Sequence, residues 1–204
     1  MRGQDEPRNA IGRQKEIHMR TSTTRRRLTA LAAMAGGAMA AASGALQASG
    51  LDWDGTKVET VPQHLALGLI AAALVLTIPA VLVLAEYADG RLRAGRYGIV
   101  ANQFAVAAAA TVSNIRGDDA SWFPAVAAPG NLVWVAGSIA LAIALYRTAR
   151  IPRPVAVGLV VAYIGTIPLS MIGGGIIAGS FWLAVGYLLS NGAIERRAFE
   201  PAAT

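Results

Sequence analysis

Five stretches of this chain contain no Asp, Glu, Lys or Arg, and each runs for 19 residues or more: 28–51, 60–85, 97–115, 120–146 and 154–194. A helix needs roughly 20 mainly apolar residues to cross about 30 Å of hydrocarbon. The last stretch is 41 residues long and as one helix would reach about 60 Å, twice the membrane. Gly173, Gly174 and Gly175 interrupt it, and a glycine triplet is a natural turn. The expectation is therefore an all-α, polytopic transmembrane bundle with six spans, at 28–48, 62–86, 96–114, 129–149, 154–171 and 175–192. In lipid each backbone polar group must be bonded within its own segment, which makes helices the default. The alternating apolar and polar residues of a β-barrel are absent from the sequence.

Composition agrees: 54% of the 204 residues are hydrophobic and 15% charged, against about 25% charged in soluble domains. The domain reading is a basic, disordered tail at 1–27, a membrane domain at 28–192 and a short tail at 193–204. The composition resembles that of small bacterial membrane proteins, a likeness that transfers no residues.

The placement of charge gives an orientation. Lys and Arg collect in cytoplasmic loops. The segment 1–27 holds Arg2, Arg8, Arg13, Lys15, Arg20, Arg25, Arg26 and Arg27. The loop after span two holds Arg91, Arg93 and Arg96, and the loop after span four holds Arg147, Arg150 and Arg153. Arg196 and Arg197 follow span six. Together these are 16 of the 18 basic residues. The three alternate loops carry only Lys57 and Arg116, alongside Asp52, Asp54, Glu59, Asp118 and Asp119. Both termini are thus expected on the cytoplasmic side of the plasma (inner) membrane. Tyr87, Tyr97, Tyr146 and Tyr187 fall near inner helix ends; Trp53 and Trp122 fall in outer loops, and Trp134 in the outer part of span four. Tyr and Trp favour that interface. The net charge of +6 is distributed as orienting charge, not as a phosphate-binding face, so nucleic acid is not an expected partner.

The N-terminus admits two readings. Thr24-Arg25-Arg26-Arg27-Leu28 before an Ala/Gly-rich run resembles a twin-arginine export signal. A retained start-transfer helix accounts for the same residues, and five further spans follow it. Met19 is an alternative start.

No catalytic, metal or cofactor motif is present. The chain lacks cysteine, which removes thiolate metal sites, disulfides and Cys nucleophiles. Two histidines, His18 and His64, are too few for a histidine-built zinc site. No charge falls at depth within a span, which argues against carriers that use a buried carboxylate. No cofactor is expected, and the protein is not expected to be an enzyme.

The intramembrane polar positions are mild: His64 at the outer end of span two, Asn102 and Gln103 in span three, Tyr163 and Thr166 in span five. Adjacent helical residues point about 100° apart, so Asn102 and Gln103 cannot serve one partner. Packing bonds and a solute path are both open for them. Small residues recur at four-residue spacing: Gly36, Ala40 and Gly44; Gly158, Ala162 and Thr166; Gly175 and Gly179. Such faces permit close helix contact, within the bundle or between subunits. Thr77-Ile78-Pro79 in span two recurs as Thr166-Ile167-Pro168 in span five, with Gly68-Leu69-Ile70 upstream of one and Gly158-Leu159-Val160 of the other. Pro79 and Pro168 are helix-breaking positions of the kind that flag transporter sites, although chance also accounts for the match.

The leading expectation is a non-enzymatic accessory or scaffolding subunit, in contact with the lipid bilayer and with a membrane-protein partner or a second copy of itself. The alternative is a small permease or channel for a neutral or weakly polar solute.

Overall fold

The structure is a computed structural model that describes residues 6–50 and 57–194, with side chains from Thr24 onward. The expectations for Arg2, Asp52, Trp53, Asp54, Arg196 and Arg197 lie outside the described residues. Six helices follow in order: α1 (Glu6–Ala48), α2 (Val61–Glu86), α3 (Gly95–Arg116), α4 (Phe123–Thr148), α5 (Arg153–Thr166) and α6 (Gly175–Ser190). Among the described residues the only extended pairing is an isolated bridge between Lys57 and Asp118.

Local chemistry explains most of the boundaries. Thr60 adopts an extended backbone before α2, and its N–H donates to Gln63 Oε1 at 2.9 Å. That bond satisfies one of the donors a helix start leaves open. Gly117 closes α3 in the left-handed region, φ 72°, with its N–H on Ser113 O. α4 begins six residues before the expected start. Pro124 occupies its first turn, where a missing N–H costs nothing, and the helix runs on through Pro129. α2 likewise continues through Pro79 to Glu86, so Pro79 does not end its helix. Pro168 does. It has no N–H for Ile164 O, which accepts from Leu169 instead, and α5 stops at Thr166, five residues short of the expected end. The helical backbone of α1 also takes in residues 6–27, which the sequence places in a polar tail. Arg, Lys and Gln are good helix formers, and an existing helix extends by one bond per residue.

Four helical segments are long and apolar enough to cross a membrane: Thr24–Ala48, Val61–Glu86, Arg91–Arg116 and Phe123–Thr148. α5 and α6 are apolar but shorter, at 14 and 16 residues, or about 21 and 24 Å. The helices form a closed ring. Each packs on the next in sequence, α6 returns to pack on α1, and α2 approaches α4 and α6 across the middle. One end of the ring carries the arginines of the loops after α2 and α4; the other carries residues 117–122 and the α5–α6 turn.

Glycine closes the seam between α1 and α6. A methyl group at Gly37 would lie 2.7 Å from Gly179 O, and one at Gly44 would lie 2.5 Å from Ile176 N. Ala40 O sits 2.6 Å from the same position at Gly175. The small-residue face of α1 thus runs through Gly37, Ala40 and Gly44, and it is used inside the bundle. Gly36 instead faces α2, against Thr77 Cγ2 and Ala73 O. The outward surface keeps large apolar side chains: Leu65, Phe104 and Leu132 are 53%, 54% and 69% exposed. Water tolerates such continuous apolar surface poorly, whereas hydrocarbon does not penalise it.

Candidate functional site

A cluster of buried polar side chains forms where α2 meets α3. Gln103 of α3 is 1% exposed, and its Nε2 donates to Thr77 Oγ1 of α2 at 3.2 Å. Thr77 Oγ1 in turn donates to Leu74 O at 3.0 Å. A hydroxyl has one hydrogen. With that hydrogen on Leu74 O, Thr77 can only accept from Gln103, so the amide must turn its NH2 towards α2. Its Oε1 then faces away, and it has no hydrogen-bond partner. An unsatisfied buried acceptor costs roughly 1–3 kcal/mol.

Beside Gln103 lies a small cavity lined by Ser138 and Trp134 of α4, Tyr163 and Thr166 of α5, and Trp182 of α6, among others. The space open to the centre of a water molecule is about 20 Å³. Trp134 and Tyr163 close one wall edge to face, with ring centroids 5.5 Å apart. Thr166 Oγ1 donates to Ala162 O at 2.7 Å, which leaves its lone pairs free to accept.

Three of the five polar positions singled out in the sequence therefore converge: Gln103, Tyr163 and Thr166. The other two do not. Asn102 turns to α4, where Nδ2 donates to Asn131 Oδ1 at 3.2 Å beside the bare backbone of Gly130. His64 sits at the other end of α2, its Nδ1 2.6 Å from Asn114 Oδ1 of α3; an amide oxygen facing it requires Nδ1 to carry the hydrogen. Pro79 and Pro168 each follow a threonine of the cluster by two residues. The Thr-Ile-Pro repeat thus brings Thr77 and Thr166 to two sides of one site. Sequence reasoning missed Ser138 and Trp182, and it placed Trp134 at an interface. Trp134 is buried at 4% exposure, because its indole fills the ring centre against Tyr163. The available signal was the i, i+4 spacing of Trp134 and Ser138 on one face of α4.

Two exposed ion pairs form at the arginine-rich end. Arg25 meets Glu86 at 2.9 Å and Arg150 meets Asp89 at 3.2 Å, all four side chains well exposed. Arg96 and Arg153 stack over Tyr97 and Tyr146, 4.6 and 5.2 Å from the ring centres. Among the described residues no three His, Cys, Asp or Glu side chains group as a metal site would require. On the outward face an open groove of about 830 Å³ runs between α2 and α3. Gly68, Ala71, Ala72, Ala107 and Ala108 contribute small side chains to it, and Phe104 contributes a large one.

Comparison with protein-family models, with curated proteins and with solved structures returned no match. The class therefore rests on the fold: an all-helical protein whose long apolar helices and apolar exterior are those of a membrane protein.

Proposed function

We propose that the chain crosses the plasma (inner) membrane six times, with both termini cytoplasmic, and serves as a non-enzymatic accessory or scaffolding subunit. The observation that carries the subunit reading is the outward groove between α2 and α3. Its glycine and alanines let another helix approach closely, which is how helices associate where water supplies no driving force. The α1–α6 seam spends its own small residues within the ring, whereas this groove keeps a small-residue surface open to a partner. The alternation of basic and acidic loops supports the orientation. Gentle extraction of the tagged protein, followed by measurement of assembly mass and identification of what co-purifies, tests the reading. A stoichiometric membrane-protein partner or a homo-oligomer is expected; a lone monomer would overturn it.

A small permease for a neutral or weakly polar solute is the second reading. The convergence of Gln103, Tyr163 and Thr166 favours it. Solute flux into proteoliposomes that disappears in Gln103→Leu, with folding preserved, would establish it; unchanged flux removes Gln103 from any path.

A further inference from the structure

The cavity at the ring centre has a shape and a chemistry that select its occupant. We propose that it is a binding site for one water-sized neutral hydrogen-bond donor, water itself, held by Gln103 Oε1. Two independent observations meet here. The amide oxygen is buried and without a partner, its direction set by the bond from Nε2 to Thr77. The space that Gln103 lines, about 20 Å³, exceeds the roughly 10–15 Å³ that one water needs and does not admit a second.

The lining excludes the alternatives. A metal cation requires several oxygen ligands, with carboxylates or backbone carbonyls among them, and no acidic side chain lines this space. An anion finds the partial negative charge of Gln103 Oε1. A larger neutral solute finds no room between Trp134, Leu159 and Trp182. A water suits every group present: it donates to Gln103 Oε1, and the hydroxyls of Ser138, Tyr163 and Thr166 supply the two to four partners a buried water takes. On the six-span reading the site lies near the middle of the bilayer. The inference goes beyond the accessory-subunit reading, and it stands or falls without it.

Water-edited solid-state NMR on the full chain in proteoliposomes, with glutamine side chains labelled with 15N, tests it directly. Magnetisation that starts on water is expected to reach the Gln103 side-chain amide, as it reaches Gln47 at the end of α1. The signal is assigned by its loss in Gln103→Met, or by its loss in the shorter amide Gln103→Asn should the first variant not fold. Ser138→Val places a methyl group in the cavity and removes a hydroxyl; there the transfer to Gln103 is expected to vanish while that to Gln47 remains. A Gln103 amide that stays dry in the native protein overturns the proposal. A transfer that survives Ser138→Val overturns the assignment of the water to this cavity.

Discussion

The seam between α1 and α6 yields the most quantitative prediction, because it closes the ring. At Gly37 a methyl carbon would stand 2.7 Å from Gly179 O against an ordinary contact of 3.4 Å, so the helices must part by about 0.7 Å there. A gap of 0.5–1 Å forfeits a quarter to a half of the dispersion energy of each contact it opens. Inserting a methyl into such packing typically costs about 1–3 kcal/mol. Alanine also helps any helix relative to glycine, by about 0.8–1.0 kcal/mol, and that gain must be removed before the contact is read. Gly68 of α2 supplies the reference: a methyl there meets only Asn114 Nδ2, at the ordinary distance of 3.4 Å. Gly68→Ala is expected to leave stability unchanged or to raise it slightly. Gly37→Ala should fall below Gly68→Ala by about 1–3 kcal/mol. Gly37→Ala with Gly44→Ala should lose roughly double, since sites two turns apart, about 10 Å, act independently. Unfolding in mixed micelles titrated with dodecyl sulfate, followed by the fluorescence of buried Trp134 and Trp182, gives the comparison. Agreement of Gly37→Ala with Gly68→Ala to within about 0.5 kcal/mol would refute close approach as the bond between α1 and α6.

Three further outcomes are expected. Thr77→Val strands Gln103 Nε2 and should lower stability by about 1–3 kcal/mol in the same assay; adding Gln103→Leu should restore part of that loss, and a double variant as unstable as Thr77→Val would show that the bond is not the cause. Arg25→Ala should change stability by no more than about 1 kcal/mol, because the Arg25 and Glu86 side chains are 66% and 46% exposed; a larger loss would mean the pair is shielded from water. The chain lacks cysteine, so single cysteines report sidedness: Arg91→Cys and Arg150→Cys should react only from the cytoplasm and Lys57→Cys only from outside, and labelling of all three from one side would refute the six-span orientation.

Helix number and type were legible in the sequence because they follow from uncharged length alone. One end was legible where glycine decides it, at the triplet 173–175; Gly117, which closes α3 two residues past the expected end, was not read, nor were the ends where prolines compete. Pro79, Pro129 and Pro168 look alike in sequence. Of the three, Pro168 alone ends a helix: Leu169 N–H takes Ile164 O in its place, and Gly173 then turns the chain in the left-handed region, while the apolar runs beyond Pro79 and Pro129 re-form helical bonds. The 100° separation of Asn102 from Gln103 correctly implied different partners, but not which residue faces the centre. That depends on the packing of α3 against both α2 and α4, which no local pattern records. Ser138 and the tryptophans joined the site for the same reason. Their neighbours come from other helices, at separations that periodicity does not see.

On the proposed six-span reading the short α5 and α6 need a physical account, since neither alone matches the thickness of hydrocarbon. The turn between them supplies one. Residues 167–174 are mostly apolar, with Met171 and Ile172 65% and 73% exposed, so the turn does not behave as a solvated loop. Its backbone is bonded within the hairpin. Ile167 N–H donates to Tyr163 O, Leu169 to Ile164 O, Ser170 to Ile167 O, Ile172 to Leu169 O, Gly173 to Ser170 O and Gly174 to Leu169 O. Pro168 has no N–H to satisfy, and the Ser170 hydroxyl donates to Ile167 O at 2.9 Å. Non-helical backbone is tolerated at membrane depth only where its polar groups find partners away from lipid, and this turn meets that condition largely by itself. Gly173, at φ 86°, is the position that makes it work: its left-handed backbone reverses the chain, and a methyl there would strike Ala48 Cβ of α1 at 2.7 Å. The residue that breaks the long apolar run is therefore also the one that seats the hairpin against the end of α1, so turning the chain and closing the ring are a single local event.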